Sequence, residues 1–99
     1  MDEKYYIKSH TSSCWSPPPG LNAASNVRIA LRVLLKPDGT LAQQPVVVEG
    51  TPSPLGPALA ESAIRAVISC QPYNKLLPEH YDQWRDLTLD FNPKDLLGG

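Results

Sequence analysis

The chain has 99 residues, of which 41% are hydrophobic, with a formal net charge of −1 and a pI near 6.0. This length fits one domain with a modest core. The charge balance, with no basic stripe, argues against nucleic-acid binding. No apolar run approaches the ~20 residues that a membrane-spanning helix needs. The N-terminal MDEK leads into no apolar signal-peptide segment, so we expect a cytosolic protein or a fragment of an exported one.

The first 20 residues predict a short helical segment that ends near Trp15. Residues 1–13 carry only a weak amphipathic pattern, and the PPPG run at 17–20 cannot continue a helix.

Residues 26–36 and 41–49 predict two antiparallel strands. The first strand alternates strictly, which predicts one buried face and one solvated face. The turn Pro37-Asp38-Gly39 has the residues that a bulged hairpin prefers. Pro45 donates no ladder hydrogen bond, so the second strand is expected at an edge or with a bulge. The predicted buried residues of the first strand are Val27, Ile29, Leu31, Val33 and Leu35.

A helix and a third strand follow. Residues 55–70 repeat apolar side chains at helical spacing, and Gln71-Pro72 ends the pattern. Residues 72–83 form a polar connection, and residues 84–92 alternate as a strand that Pro93 closes. The order helix, strand, strand, helix, strand predicts an α+β fold, a two-layer sandwich of a three-stranded antiparallel sheet with helices packed on one face.

The polar residues offer no spacing typical of a catalytic or metal site. Cys14 and His10 could form a thiol–imidazole pair, but catalysis needs a base oriented by a third group, which the sequence does not place. His80 lies in a proline-bearing loop and is expected to be solvated. Asp86 and Asp90 share one strand face, where alternating polar residues are typical of a solvated sheet.

Cys14 and Cys70 are the only cysteines. Cys70 lies on the apolar stripe of its helix, and Cys14 lies just before the proline run. If the two helical segments pack side by side, the thiols can approach. A disulfide and two buried free thiols are both compatible with this arrangement.

Several blocks of the sequence resemble the C-terminal domain family of TolA and TonB. They are CWSPPPG at 14–20, LKPDGTL at 35–41, ALAESAIRAV at 58–67, CQPY at 70–73 and YDQWRDLTLDFNP at 81–93. The first and fourth blocks, in this order, are the most specific. The resemblance covers residues 14–93 as the domain. It leaves 94–99 as a tail and 1–13 as an N-terminal segment, either a truncated first helix or sequence added to the native chain.

The resemblance implies a periplasmic, non-catalytic protein-binding module without cofactors. The family of TolA acts in the Tol–Pal cell-envelope system of Gram-negative bacteria, where it couples inner-membrane energy to outer-membrane partners. Its partners include the N-terminal segment of TolB and other Tol–Pal proteins, and colicins and filamentous phage coat proteins exploit it. The resemblance also implies an inner-membrane anchor outside this domain, which itself contacts neither membrane nor nucleic acid. With the oxidising periplasm, it favours a Cys14–Cys70 disulfide.

A three-stranded sheet has two edges, and we expect a partner segment to add along the third strand, which has no internal proline. Hairpin connection places the first two strands side by side, so the third is expected beside the first, at the other edge. The alternatives are a TonB-type transducer that binds outer-membrane receptors and, less favoured, a small thiol enzyme. The predicted partner-binding residues are Trp84, Arg85, Asp86, Leu87, Thr88, Leu89, Asp90 and Phe91.

Overall fold

The computed structural model describes residues 3–21 and 27–96. Helix α1 spans Glu3–Ser12, strands β1 and β2 span Ile29–Leu34 and Val46–Gly50, and helix α2 spans Gly56–Ser69. A 3-10 turn at Pro78–His80 leads into the one-turn helix α3 at Tyr81–Trp84. Strand β3 then spans Asp86–Phe91, and the one-turn helix α4 spans Pro93–Leu96.

The three strands form one antiparallel sheet in the order β2-β1-β3. This confirms the predicted α+β fold, a two-layer sandwich with helices on one face of the sheet, and it places β3 at an edge beside β1. The alternation predicted for β1 is confirmed in part, because on its outer face Arg32 is exposed but Ala30 is buried. The residues predicted for its inner face are all buried. These residues are Val27, Ile29, Leu31, Val33 and Leu35.

Helix α2 covers the inner face of the sheet with the stripe that its spacing predicts. Leu59, Ala63, Ala66 and Val67 are buried, and Cys70 follows directly after the last turn. Pro57 lies in the first turn, where the missing amide hydrogen costs no helical hydrogen bond. The helix therefore begins and ends within one residue of the predicted limits.

Several predicted boundaries differ from the structure. Helix α1 ends at Ser12 rather than near Trp15, β1 ends at Leu34 rather than at residue 36, and β3 spans Asp86–Phe91 rather than 84–92. Strand β2 begins at Val46 rather than at residue 41, and Leu41 makes only an isolated bridge to Leu35. The predicted connection 72–83 and the predicted tail contain short helices at 78–84 and at Pro93–Leu96. Proline at the first position starts the turns at Pro78 and Pro93, because its φ suits a helix start. Residue 26, predicted to begin β1, and residues 1–2 and 97–99 lie outside the described residues.

Helix α1 is part of the packed domain. Ile7 and Thr11 are buried, and the imidazole Nδ1 of His80 lies 3.0 Å from the carboxylate of the largely buried Glu3. At the other end of the segment, the indole Nε1 of Trp15 donates to the hydroxyl of Ser62 at 2.9 Å. The N-terminal segment therefore contacts both α2 and the turn before β3.

The hairpin turn between β1 and β2 packs closely against the segment that follows α2. Gly39 has a φ of +84°, and a Cβ built on it would lie 2.5 Å from the carbonyl oxygen of Tyr73. The amide of Tyr73 donates to the carbonyl of Gly39 at 2.9 Å, and the amide of Leu41 donates to the side chain of Gln71 at 2.9 Å. Glycine at position 39 thus permits both the turn and this contact.

We expect Gly39→Ala to lower the free energy of unfolding by about 2–3 kcal/mol, from the left-handed φ and the contact with Tyr73 together. Gly20→Ala is the matched control, since Gly20 has a φ of +85° and nothing within 4 Å of its built Cβ. The control should lose only about 1 kcal/mol. Urea unfolding of both variants measures the difference, and equal losses would mean that the Tyr73 contact contributes nothing.

Candidate functional site

Strand β3 forms one edge of the sheet, and its backbone groups alternate between β1 and the open side. The amide of Leu35 donates to the carbonyl of Arg85 at 2.9 Å, so these opposite residues occupy a hydrogen-bonded position of the ladder, while the amide of Arg85 donates to Tyr81. Such pairs alternate with non-bonded pairs in an antiparallel ladder. It follows that Asp86, Thr88 and Asp90 direct their N–H and C=O groups away from β1. No strand among the described residues pairs with that side.

Seven of the eight predicted partner-binding residues divide into three groups. Asp86, Thr88 and Asp90 are exposed on the outer face of the sheet, as the alternation predicts. Leu89 and Phe91 are buried in the core, and Leu87 is half-buried. Arg85 precedes the strand, and its guanidinium lies 5.5 Å from the centre of the Tyr81 ring. Arg85 is exposed as well, so Arg85, Asp86, Thr88 and Asp90 can present side chains to a partner without unpacking the core.

The assignment of Trp84 to the third strand and to the binding surface is wrong. Trp84 ends helix α3 and is only 1% exposed. Its indole Nε1 donates to the carbonyl of Leu77 at 2.9 Å, and its ring packs edge-on against Tyr81 at 4.8 Å. A large apolar side chain with a satisfied polar atom is more stable in the core than on a sheet edge. Trp84 therefore supports β3 from beneath.

The outer face of β1 and β3 carries two cross-strand ion pairs. Arg32 donates to both carboxylate oxygens of Asp86, at 3.0 and 2.7 Å, and Arg28 donates to Asp90 at 2.9 Å. Hydrogen bonding to Arg32 lowers the pKa of Asp86. The ionised carboxylate therefore stabilises the folded state at neutral pH, and this contribution is lost as pH falls through the lowered pKa. The two carboxylates are bound to different arginines rather than to each other.

Cys14 and Cys70 form a disulfide, with their Cα atoms 5.9 Å apart. The bridge joins the segment after α1 to the C-terminal end of α2. The imidazole Nε2 of His10 lies 3.1 Å from the carbonyl oxygen of Cys70, to which it donates. Neither thiol is free. A nucleophilic Cys14, as the thiol-enzyme alternative requires, would first need reduction of this bond.

Tyr73 links α1 to α2 through a buried hydroxyl. Its hydroxyl lies 3.0 Å from the carbonyl of Val67 and 2.9 Å from the hydroxyl of Thr11. The carbonyl can only accept, so Tyr73 donates to Val67 and Thr11 donates to Tyr73. Burial raises the pKa of Tyr73 to about 12. The sequence pattern gave no role to Thr11 or Tyr73, because a polar pair 62 residues apart leaves no local signal.

We expect an alkaline loss of stability that depends on Tyr73. Below pH 10 its hydroxyl is protonated in both states, whereas between about pH 10 and 12 only the unfolded chain releases the proton. The free energy of unfolding therefore falls as pH rises through this range, and Tyr73→Phe removes that contribution. Absorbance at 295 nm measures the ionisation. Tyr5→Phe, which removes an exposed phenol, should leave the step near pH 12 in place, and its loss would reassign the step.

Neither the comparisons with known proteins nor the side chains of residues 3–21 and 27–96 point to another site. No protein-family model matches the chain, and no curated protein is significantly similar to it. Within residues 3–21 and 27–96, no three side chains of metal-ligating type form a cluster. In the same part of the chain, no helix has the length and apolar character that a bilayer crossing requires. The open edge of β3 is therefore the site that the geometry supports best.

Proposed function

We propose that this domain is a non-catalytic, TolA-type binding module of the Tol–Pal cell envelope system, and that an extended partner segment adds to the sheet along β3. Its ligand is a disordered segment, such as the N-terminus of TolB. The family resemblance stated above supports the system and the partner class. The single structural observation that supports the mode of binding is the open backbone edge at Asp86, Thr88 and Asp90.

An open edge favours an extended ligand because it offers donors and acceptors at the repeat of a β-strand. Three residues of β3 provide six such groups, and β3 contains no proline across Asp86–Phe91. Backbone hydrogen bonds then supply affinity, while alternate side chains supply specificity. Asp86 and Thr88 would contribute the specificity, whereas Trp84 would not contact the ligand.

The disulfide supports an oxidising compartment such as the periplasm. Disulfides persist in exported proteins and are rare in the cytosol, where thiols are kept reduced. Cys14 and Cys70 close a long loop, which stabilises a small domain that lacks a large core.

An NMR titration of the ¹⁵N-labelled protein with a peptide from the TolB N-terminus tests the proposal. We expect saturable shifts along residues 85–91. Thr88→Pro should abolish binding, because proline removes an amide that faces outward, yet it leaves the hydrogen bonds to β1 intact. Thr88→Val is the matched control, since it keeps that amide and should bind within about threefold of the wild type.

The residues whose signals shift show which edge of the sheet binds the peptide. Shifts confined to residues 43–49 would move the site to the opposite edge, and undiminished binding by a folded Thr88→Pro variant would exclude strand addition at β3. A TonB-box peptide from an outer-membrane receptor, if it binds more tightly than the TolB peptide, would favour the TonB-type alternative.

A further inference from the structure

Among the described residues, the opposite edge of the sheet carries the largest run of exposed apolar side chains. Val46, Val47 and Val48 are 48%, 42% and 51% exposed, and every residue of β2 is exposed. The pairing of β1 with β2 shifts by one residue between Ala30 and Leu31, so β2 carries a bulge. Edge strands are usually protected from other chains, and an apolar one is typical of an interaction surface.

An apolar groove of about 390 Å³ opens beside this edge. Ile29, Val47 and Gly50 line it from the sheet, Pro57 and Ala60 line it from α2, and residues 51–53 close one end. Gly50 has no side chain to fill the space, and a Cβ built on it meets Ile29 at 3.6 Å, an ordinary contact. No charged side chain lines the groove, so it suits an apolar side chain.

The backbone at this edge determines the shape of the ligand. The amide of Thr51 donates to the carbonyl of Arg28 at 2.8 Å, and Ala30 lies opposite Glu49. By the alternation of antiparallel pairs, Gly50 directs its own N–H and C=O outward. No strand among the described residues pairs with this side of β2. An extended peptide can therefore bond to the edge while its side chains point alternately into the groove and towards the outer face of the sheet.

Glu49 determines the charge of the ligand. It lies opposite Ala30 on the outer face, and among the described residues no cation pairs with it. A basic residue next to the inserted apolar one would lie beside this carboxylate, and opposite charges stabilise neighbouring strands.

A second copy of the chain fits this surface less well than a peptide does. Strand β2 contains no lysine or arginine, and two β2 strands aligned about Val48 would place Glu49 opposite Val47. Five residues extend only about 17 Å. That length is too short for the roughly 800 Å² per partner that a stable dimer buries.

We propose that the outer edge of β2 and the adjoining groove form a second binding surface, distinct from β3, for an extended peptide of a partner protein that alternates apolar and basic residues. One apolar side chain enters the groove beside Gly50, and a lysine or arginine pairs with Glu49. The domain would then hold two extended segments at once, one at each edge of the sheet. This proposal does not depend on the function proposed for β3, and an experiment can contradict either proposal without contradicting the other.

The probe is a synthetic blocked heptapeptide, Ser-Lys-Val-Lys-Val-Lys-Ser, titrated into the ¹⁵N-labelled full chain. We expect saturable shifts at Val47, Val48, Gly50 and Ala60, with residues 86–90 silent. Gly50→Leu should weaken binding at least about tenfold, because its side chain fills the groove. Gly50→Ala, the matched control, leaves most of the groove open and should stay within about threefold.

Charge variants provide a second measurement that does not depend on position 50. Glu49→Lys should raise the Kd about fivefold, whereas Glu79→Lys, with the same change in net charge on a distant exposed turn, should not. Replacing the lysines of the peptide by glutamates should weaken binding similarly. Absence of saturable shifts, shifts confined to β3, or equal effects of Glu49→Lys and Glu79→Lys would overturn the proposal. If the wild type sediments as a dimer and the Gly50→Leu variant sediments as a monomer, the surface binds a second copy of the chain, and the proposal is overturned.

Discussion

Replacing both Cys14 and Cys70 by serine should lower the free energy of unfolding by about 4 kcal/mol. The bridge joins residues 56 apart, and opening it frees a loop of that length in the unfolded chain. A domain of this size has a total stability of about 5–15 kcal/mol. The variant should therefore remain folded in cool buffer, with a lower denaturation midpoint in guanidinium chloride.

The serine at position 70 keeps the local structure close to that of the bridged protein. The sulfur of Cys70 lies 3.0 Å from the carbonyl oxygen of His10, and a serine hydroxyl there can donate a hydrogen bond that the disulfide cannot. Reduction of the wild type should reproduce the same loss, which separates the effect of the bond from that of the substitution. A loss below ~1 kcal/mol in both experiments would mean that α1 is held by its other contacts alone.

The fold follows from patterns that lie within single segments. The alternation around Leu31 and the helical spacing around Ala63 determine which faces are buried, and each pattern needs only neighbours in sequence. The position of β3 beside β1 follows from the hairpin that already joins β1 to β2. The boundaries of the helices and strands were less predictable, because Pro78 and Pro93 start short helical turns. The alternation of apolar and polar residues alone does not distinguish such turns from strand ends.

The candidate site was predictable only in part. Free edges follow from strand order, and Asp86, Thr88 and Asp90 follow from alternation. The groove beside Gly50 could not be predicted from the sequence, because it forms where residues from three segments meet and where the missing side chain of a glycine leaves a space. Trp84 was misplaced for a related reason, since it continues the alternation of β3 by chance while its backbone belongs to α3.

Replacing Trp84 by alanine should lower the free energy of unfolding by about 3–5 kcal/mol, as expected for a large buried aromatic residue. Its ring is 1% exposed and packs against Tyr81, so truncation leaves a cavity under the start of β3. The substitution also leaves the carbonyl of Leu77 without its donor. Arg85→Ala, on the exposed neighbour, should change the denaturation midpoint far less.

Trp84→Phe distinguishes a residue of the core from a residue of the binding surface. It keeps most of the buried ring but removes the indole N–H, so it should cost about 1–3 kcal/mol and still fold. Because Trp84 lies beneath the sheet edge and not on it, the folded variant should bind the TolB peptide with an unchanged Kd. A variant of wild-type stability that binds tenfold more weakly would place Trp84 in contact with the ligand. Such a result would require α3 to unpack when the partner strand adds to β3, since the indole has no other route from the core to that edge.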